Sequence, residues 1–403
     1  MADTGWTQIQ KTLDHLLSEC DPSAMAEQEF RGAVFDAGLA WVSFPEGFGG
    51  LGLPANHQPA VDSYLAEAGA APLPREQFLG TALAGPTIVA HGSEDLCHRT
   101  LRRIYTGEDL WCQLFSEPSA GSDLAAVSSL AVRDGDEWVV SGQKVWNTMA
   151  HLSNKGMLVA RTDPDAPKHK GLTYFMVDMT APGVEVRPLR QLTGEAEFNE
   201  VFLDEVRIPD ADRIGDIGEG WTVAMSTLMN ERTSVGSGGA SGVKPRGSGP
   251  IAEAVRVWNS LDADARTPQL HDRLMRLWIG AEVLRLTDLR ATAQRELGDP
   301  GPESSIGKTM LGTSNQAIYE FCVDALGAAG QVDYDFTLRR AEGIGLDGPP
   351  GSGRQMFLRS RANSIEGGTT EIMKNILGER VLGLPGEPRV DRDISWREAS
   401  RLK

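Results

Sequence analysis

Between residues 111 and 215 the chain carries a succession of short runs rich in β-branched and aromatic residues, with no helix-length segment between them. "EWVVSGQKVWNTMA" reads as strand, Ser-Gly turn and strand, and "GLTYFMVDM", "GVEVRPL" and "NEVFLDEVRIP" are further short strands bounded by Gly, Pro and Asp. That spacing points to a compact antiparallel barrel or sandwich and away from a doubly wound sheet.

The flanks have a different period. Before residue 110, "DPSAMAEQEFRGAVFDAGL" spaces its apolar residues as a helix does, and "FPEGFGGLGLPA" is too rich in Gly and Pro to be anything but a loop. From Gly218 onward the helical period returns: Leu274, Leu277, Trp278, Ala281 and Leu284 share one face, and "SSIGKTMLGTSNQAIYEFCVDALG" is a second long helix. The Gly/Ser stretch "GSGGASGVKPRGSGP" reads as a flexible loop. A chain of 403 residues exceeds what one core usually holds. The expected fold is therefore α+β and multidomain. Residues 1–110 form an N-terminal α-helical domain, 111–216 a middle antiparallel β domain, barrel or sandwich, and 217–403 a C-terminal helical bundle.

Charge and composition remove several function classes. A formal net charge of -17 argues against a nucleic-acid surface and requires a local pocket for any anionic ligand. The longest apolar runs are too short to span a bilayer, and "MADTGWTQIQKTLDHLL" lacks the apolar core of a signal peptide, so a cytoplasmic location is expected. Cys20, Cys97, Cys112 and Cys322 show no CxxC spacing and read as reduced thiols, mostly buried. His91 and His98 flank Cys97 without a zinc spacing, and no metal is predicted. "GIGLDG" satisfies GxGxxG but follows a helical stretch and runs into two prolines, so it is no dinucleotide fingerprint.

The stretch "LFSEPSAGSDLA" opens the β region. It gathers backbone N–H groups with the hydroxyls of Ser116 and Ser122 on one loop, which suits the edge of a polar heterocycle or a phosphate, or serves as an ordinary connection. "FSEPSAGSD" resembles the first signature of the acyl-CoA dehydrogenase flavoproteins. "GQKVWNTMA", "FNEVFLDEVRIP", "GEGWTVAMSTLMNER" and "GTTEIMKNILGERVLGLP" resemble that family's later stretches, in order and spacing, over about residues 30 to 385. The resemblance implies helical, β and four-helix-bundle domains, with FAD between the last two. It also implies that Gln113, Phe115, Ser116, Gly121 and Ser122 line the isoalloxazine, that Trp146 lies against the ring, and that the Thr148 hydroxyl reaches N5. A hydrogen bond at N5 tunes reduction, and an aromatic wall excludes water. Thr369 and Glu371 match the C-terminal cofactor contacts, and Ser122 is also placed to touch the CoA pantetheine.

The family's reaction removes an α-proton from an acyl-CoA and passes the β-hydride to FAD, leaving a trans-2-enoyl-CoA. Such a weak carbon acid needs a carboxylate in a dry pocket and hydrogen bonds to the thioester carbonyl that strengthen as enolate charge develops. Aligning "GGTTEI" on the family signature puts Gly367 where the base usually stands, with Glu366 one residue early. A minority of the family carries the base on a bundle helix just before an Arg, and here that pair is Glu231 and Arg232. The resemblance thus implies Glu231 as base, Glu366 as runner-up, the Gly367 N–H on the thioester carbonyl, and Arg232 on the substrate.

Two departures stand out. The R-x-x-F-G stretch that holds the FAD pyrophosphate of a neighbouring subunit is missing, and Q-x-x-G-G becomes "DALGA", with Asp324 for Gln and Ala328 for the second Gly. These resemble a bacterial branch that handles bulky acyl chains, including steroid side chains, partly as heterotetramers. The implied partners are an acyl-CoA substrate, an electron-transfer flavoprotein as acceptor, and a homo-oligomer (dimer or tetramer) or heterotetramer. The competing readings are a subunit that mainly supplies FAD contacts, a flavin-free acyl-CoA-binding protein, and an oxidase.

Overall fold

The computed structural model describes residues 4–236, 245–296, 303–332, 337–340, 353–388 and 390–401. The side chain of Arg232, the "GIGLDG" stretch and most of the Gly/Ser loop lie outside the described residues.

The N-terminal part is helical: α1 Thr4–Glu19, α2 Glu27–Asp36, α3 Gln58–Glu67, α4 Gly85–His91 and α5 Glu94–Thr106. Helix α5 shows why the chain breaks where it does. Ser93 caps its first turn by accepting from the Leu96 N–H, and Gly107, at φ 80°, ends it in the left-handed conformation that a Cβ disfavours. "FPEGFGGLGLPA" is a loop, as its composition dictates.

The middle part is β1 Trp111–Leu114, β2 Leu130–Asp134, β3 Glu137–Thr148, β4 Lys155–Arg161, β5 Leu172–Asp178, β6 Val184–Pro188, β7 Phe198–Pro209 and β8 Arg213–Ile214. Two expectations need correction. The sheet, ordered β6-β7-β3-β2-β4-β5-β8 with β1 beside β4, does not close into a barrel among the described residues, and it is mixed, because β1 and β2 both pair parallel with β4. Its end strands are short, β8 having two residues, and offer each other no ladder. The sheet curls far enough instead for Trp138, Val140, Leu158, Phe175, Val201 and Ile208 to share an inner core. The Ser141-Gly142 "turn" is a bulge inside one continuous strand. The β3–β7 register slips between Val140 and Gly142, while the Ser141 hydroxyl accepts from the Glu205 N–H.

The C-terminal part holds α6 Gly220–Gly236, α7 Pro250–Ser260, α8 Pro268–Glu296, α9 Glu303–Leu326, α10 Gly353–Arg359, α11 Thr370–Ile376 and α12 Trp396–Ala399. Leu274 is buried with Ile251, Val257, Ile318 and Phe321, and Leu277, Trp278 and Ala281 pack against them, so the face read from periodicity is the one α8 turns inward. Helix α6 joins the parts. Val223 and Ala224 belong to the same core as the N-terminal helices and the outer face of the sheet, and α6 also packs on α9. Cys97, Cys112 and Cys322 are buried free thiols, and Cys20 is half-buried. Among the described residues, no helix is long and apolar enough to cross a membrane.

Candidate functional site

The loop after β1 is shaped from beneath by buried charge. The Glu117 carboxylate accepts from the Ser128 N–H (2.7 Å), the Ser129 N–H (2.9 Å), the Ser128 hydroxyl (2.7 Å) and Lys144 Nζ (2.8 Å). Lys144, fully buried, also donates to the carbonyls of Phe115 and Val159. Burial alone would raise the Glu117 carboxyl, but the charge of Lys144 and these hydrogen bonds hold it at about 2. A second buried cation, Arg161, donates to the carbonyls of Ala125, Val127 and Lys168. Burial brings it down to about 10, against the raising effect of Glu117, Asp163 and Asp123.

With its base fixed, the loop leaves Gly121 and Ser122 exposed at its tip. Gln113 and Ser116 are half-buried, and their carbonyls accept from the Asn147 side chain (2.7 Å) and the Val145 N–H (2.9 Å). The Phe115 ring is buried, at right angles to that of Tyr174, so its side chain belongs to the core beneath the loop.

The strand wall is set by a second slip of the β3–β7 register, between Lys144 and Asn147. Trp146 there has φ 62°, an unusual conformation for a bulky residue, and stays 58% exposed with its ring edge-on to Phe198. A tryptophan turned outward at a conformational cost marks a functional surface more often than a packing one. Thr148, two residues on, is half-buried opposite Phe198.

The helical side brings Glu231 and Gly367 together. A Cβ built on Gly367 would lie 3.7 Å from Glu231 Oε1 and 3.4 Å from Lys308 Cε. Gly367 and Gly368 have φ 60° and 91°, conformations that glycine adopts freely. Lys308 of α9 donates to the Asn363 carbonyl (2.6 Å). Burial lowers its amine, while Glu366 and Glu231 pull it back up. Glu366 itself is engaged elsewhere: both its oxygens accept from Arg359 (2.9 and 3.2 Å), and one also accepts from the Asn363 amide (2.6 Å). Thr369 caps α11 by accepting from the Ile372 N–H, which leaves its hydroxyl hydrogen to donate, and Glu371 is exposed in the first turn.

Models of the N-terminal, middle and C-terminal domains of acyl-CoA dehydrogenase match residues 7–108, 112–206 and 218–382. The chain belongs to the acyl-CoA dehydrogenase family. The enzyme class follows, an oxidoreductase acting on acyl-CoA. The acyl-CoA dehydrogenase IpdE1 of Mycobacterium tuberculosis is 38% identical over 88% of this chain and 86% of its own length. The acyl-CoA dehydrogenase FadE34 of the same organism is 39% identical over 90% of this chain, which spans only 47% of FadE34. Among solved structures, the ChsE4-ChsE5 complex from Mycobacterium tuberculosis is similar at TM-score 0.67 and 26% identity, covering 96% of this chain and 99% of the other.

The acyl-CoA dehydrogenase family uses a flavin, and the residues present fit one. Trp146 keeps an open aromatic face, a Cβ on Gly121 would meet nothing within 4 Å, and Gly367 puts no side chain beside Glu231. The sequence reading missed Lys144, Arg161, Lys308 and Arg359. Only Lys144 carried a signal: a lysine two residues before Trp146 in an apolar strand needs a buried carboxylate, and the nearest motif acid is Glu117.

Proposed function

We propose that the chain catalyses FAD-dependent α,β-dehydrogenation of an acyl-CoA to a trans-2-enoyl-CoA, with Glu231 as the α-proton base. The observation that carries this reading is the approach of the Glu231 carboxylate to Gly367, the position from which a base would otherwise reach the substrate. Glu366, the runner-up, is committed to Arg359 and Asn363. When bound, FAD supplies the hydride acceptor. The chain's residues do the rest. Glu231 takes the proton, the Gly367 N–H polarises the thioester carbonyl, and Arg232 and Ser122 orient the acyl-CoA. Trp146 and Thr148 would hold the flavin ring, with Gln113, Phe115 through its backbone, Ser116, Gly121, Ser122, Thr369 and Glu371 as further cofactor contacts.

Electrons would leave to an electron-transfer flavoprotein, and the working enzyme would be a homo-oligomer or heterotetramer. The likeness to a complex of two different chains, together with the missing R-x-x-F-G stretch, favours as second reading a subunit whose partner completes the FAD site. One experiment separates the two: purify the protein alone, record its visible spectrum, and titrate it anaerobically with short, branched, long and steroid-type acyl-CoA thioesters. Bound flavin bleached by one class supports the dehydrogenase and names its substrate. A colourless protein that turns yellow and bleaches only with a second subunit supports the heteromer, and a yellow protein that no acyl-CoA bleaches overturns the main reading.

A further inference from the structure

One guanidinium bridges the helical side of the site and the strand wall. Arg359, at the end of α10, has a side chain only 9% exposed. It forms the two-pronged pair with Glu366, lies 3.3 Å from the Glu197 carboxylate just before β7, and sits over the Phe198 ring, which packs at a steep angle against Trp146. Glu197 is itself buried, its side chain 5% exposed. We infer that Arg359 is a positioning residue that acts through Glu366 to hold the Gly367 loop in register with the strand bearing Trp146. The inference rests on the function proposed above and adds to it the device that sets the distance between the two walls.

The physical argument has three steps. A planar guanidinium with two parallel bonds to a carboxylate fixes angle as well as distance, which a point charge such as lysine does not. Glu366 is the side-chain anchor immediately before two glycines in left-handed conformations, so its placement decides where the Gly367 N–H points. Removing Arg359 would leave Glu366 and Glu197 facing each other without their shared counter-charge and drive the loop from the strand. Burial opposes the charge on Arg359, but Glu366, Glu197 and Glu195 outweigh it and keep the guanidinium protonated.

The test uses the flavin-loaded protein with Arg359→Gln, Arg359→Lys and Glu366→Ala. The last leaves Arg359 paired with Glu197 and unties the loop from both Arg359 and the Asn363 amide. The first readout is the long-wavelength charge-transfer band of a 3-oxoacyl-CoA bound as its enolate against oxidised flavin, which reports stabilisation of enolate charge and not overall fold. The inference expects Arg359→Gln and Glu366→Ala to shift formation of that band to higher pH and to slow flavin bleaching roughly 10- to 100-fold, with acyl-CoA affinity nearly unchanged. Arg359→Lys should restore part of the loss. The second readout, amide hydrogen exchange in residues 364–370, needs neither flavin nor substrate, and should speed up in Glu366→Ala. If Arg359→Gln fails to fold, Glu366→Ala decides alone. An unchanged band and unchanged exchange in Glu366→Ala overturn the inference. A wild type that neither bleaches nor forms the band sinks the dehydrogenase reading, and the exchange data still judge the clamp.

Discussion

Glu231 Oε1 lies 3.7 Å from where a Cβ on Gly367 would begin, although 136 positions separate the two residues in the chain. Helix α6 is held in the core shared by the N-terminal helices and the sheet, and the Gly367 loop is tied to α9 and α10. Their meeting is therefore a product of tertiary packing and not of local sequence. The glycine has a reason to be there: its φ of 60° suits a residue without a Cβ, and a side chain longer than a methyl would crowd Glu231 Oε1 and Lys308.

Replacing Glu231 by Gln should keep a yellow, flavin-bound protein and slow bleaching by acyl-CoA by roughly 10²- to 10⁴-fold, the usual worth of a general base. Glu366→Gln keeps one acceptor oxygen toward Arg359 but loses the two-pronged pair, and should cost about tenfold by the same measure, well short of the loss at Glu231. Anaerobic stopped-flow at the flavin absorption maximum compares them. A Glu231→Gln variant bleaching at the wild-type rate would falsify the assignment.

Gly367→Ala tests the space directly. The added methyl meets Lys308 Cε at 3.4 Å and Glu231 Oε1 at 3.7 Å, contacts that fit, but φ 60° disfavours any Cβ by about 1–2 kcal/mol. A small loss in thermal stability is expected with a larger loss in bleaching rate, because the methyl stands between base and loop. Equal losses in both would mean the site merely unravels.

The parts of the molecule that could be read from residues alone were those written in local pattern. The face of α8 through Leu274, Leu277, Trp278 and Ala281, the loop at Phe44–Ala55 and the short strands of the middle region all follow from spacing and from Gly and Pro. What failed was long-range geometry. A Ser-Gly pair reads as a turn until the partner strand is known to run past it, and only the register with β7 shows the bulge. Strand parallelism and closure depend on which neighbours β4 finds, and no run of residues states that. The packing of the Phe115 ring against Tyr174, 59 residues on, is likewise invisible within the loop motif. The resemblance named the site's chemistry, while Arg359 and Lys308 emerged only from distances.

The pair Glu117–Lys144 should dominate acid stability. The Glu117 carboxyl sits at about 2 in the folded chain against an ordinary 4.5, so its stabilisation is fully present above pH 4.5 and disappears as pH falls toward 2. That difference is worth roughly 3 kcal/mol. Burial pushes the Lys144 amine down despite Glu117, so at neutral pH the lysine depends on its partner to stay charged inside the protein. Glu117→Gln leaves a buried cation without its counter-charge and should cost about 3–5 kcal/mol. Thermal unfolding between pH 2 and 7 checks both statements: the variant should melt lower at neutral pH and respond less to acid.

Trp396 anchors a segment beyond the reach of the family models, which end at residue 382. Its indole N–H donates to the Ala126 carbonyl (3.2 Å), and the Arg161 guanidinium lies 4.8 Å from its ring centre. Around it, Asp391 and Asp123 share Lys168, Arg397 pairs with Asp165, and the Trp396 and Arg397 N–H groups donate to the carbonyls of Ala166 and Pro164. Arg161 also holds the loop that ends in Ala125 and Val127. The tail is thus fastened to the base of the loop whose tip carries Ser122. The exposed Arg397 pair adds little, and the cation–π contact with the indole hydrogen bond supplies about 1–3 kcal/mol. Trp396→Ala should release residues 390–401 to proteolysis at concentrations that leave the wild type intact, while the main unfolding transition drops only a few degrees. Trp396→Phe keeps a ring for Arg161 and loses the N–H, so it should fall between the two. Cleavage of the tail at equal rates in all three proteins would mean that the side chain is not what holds it.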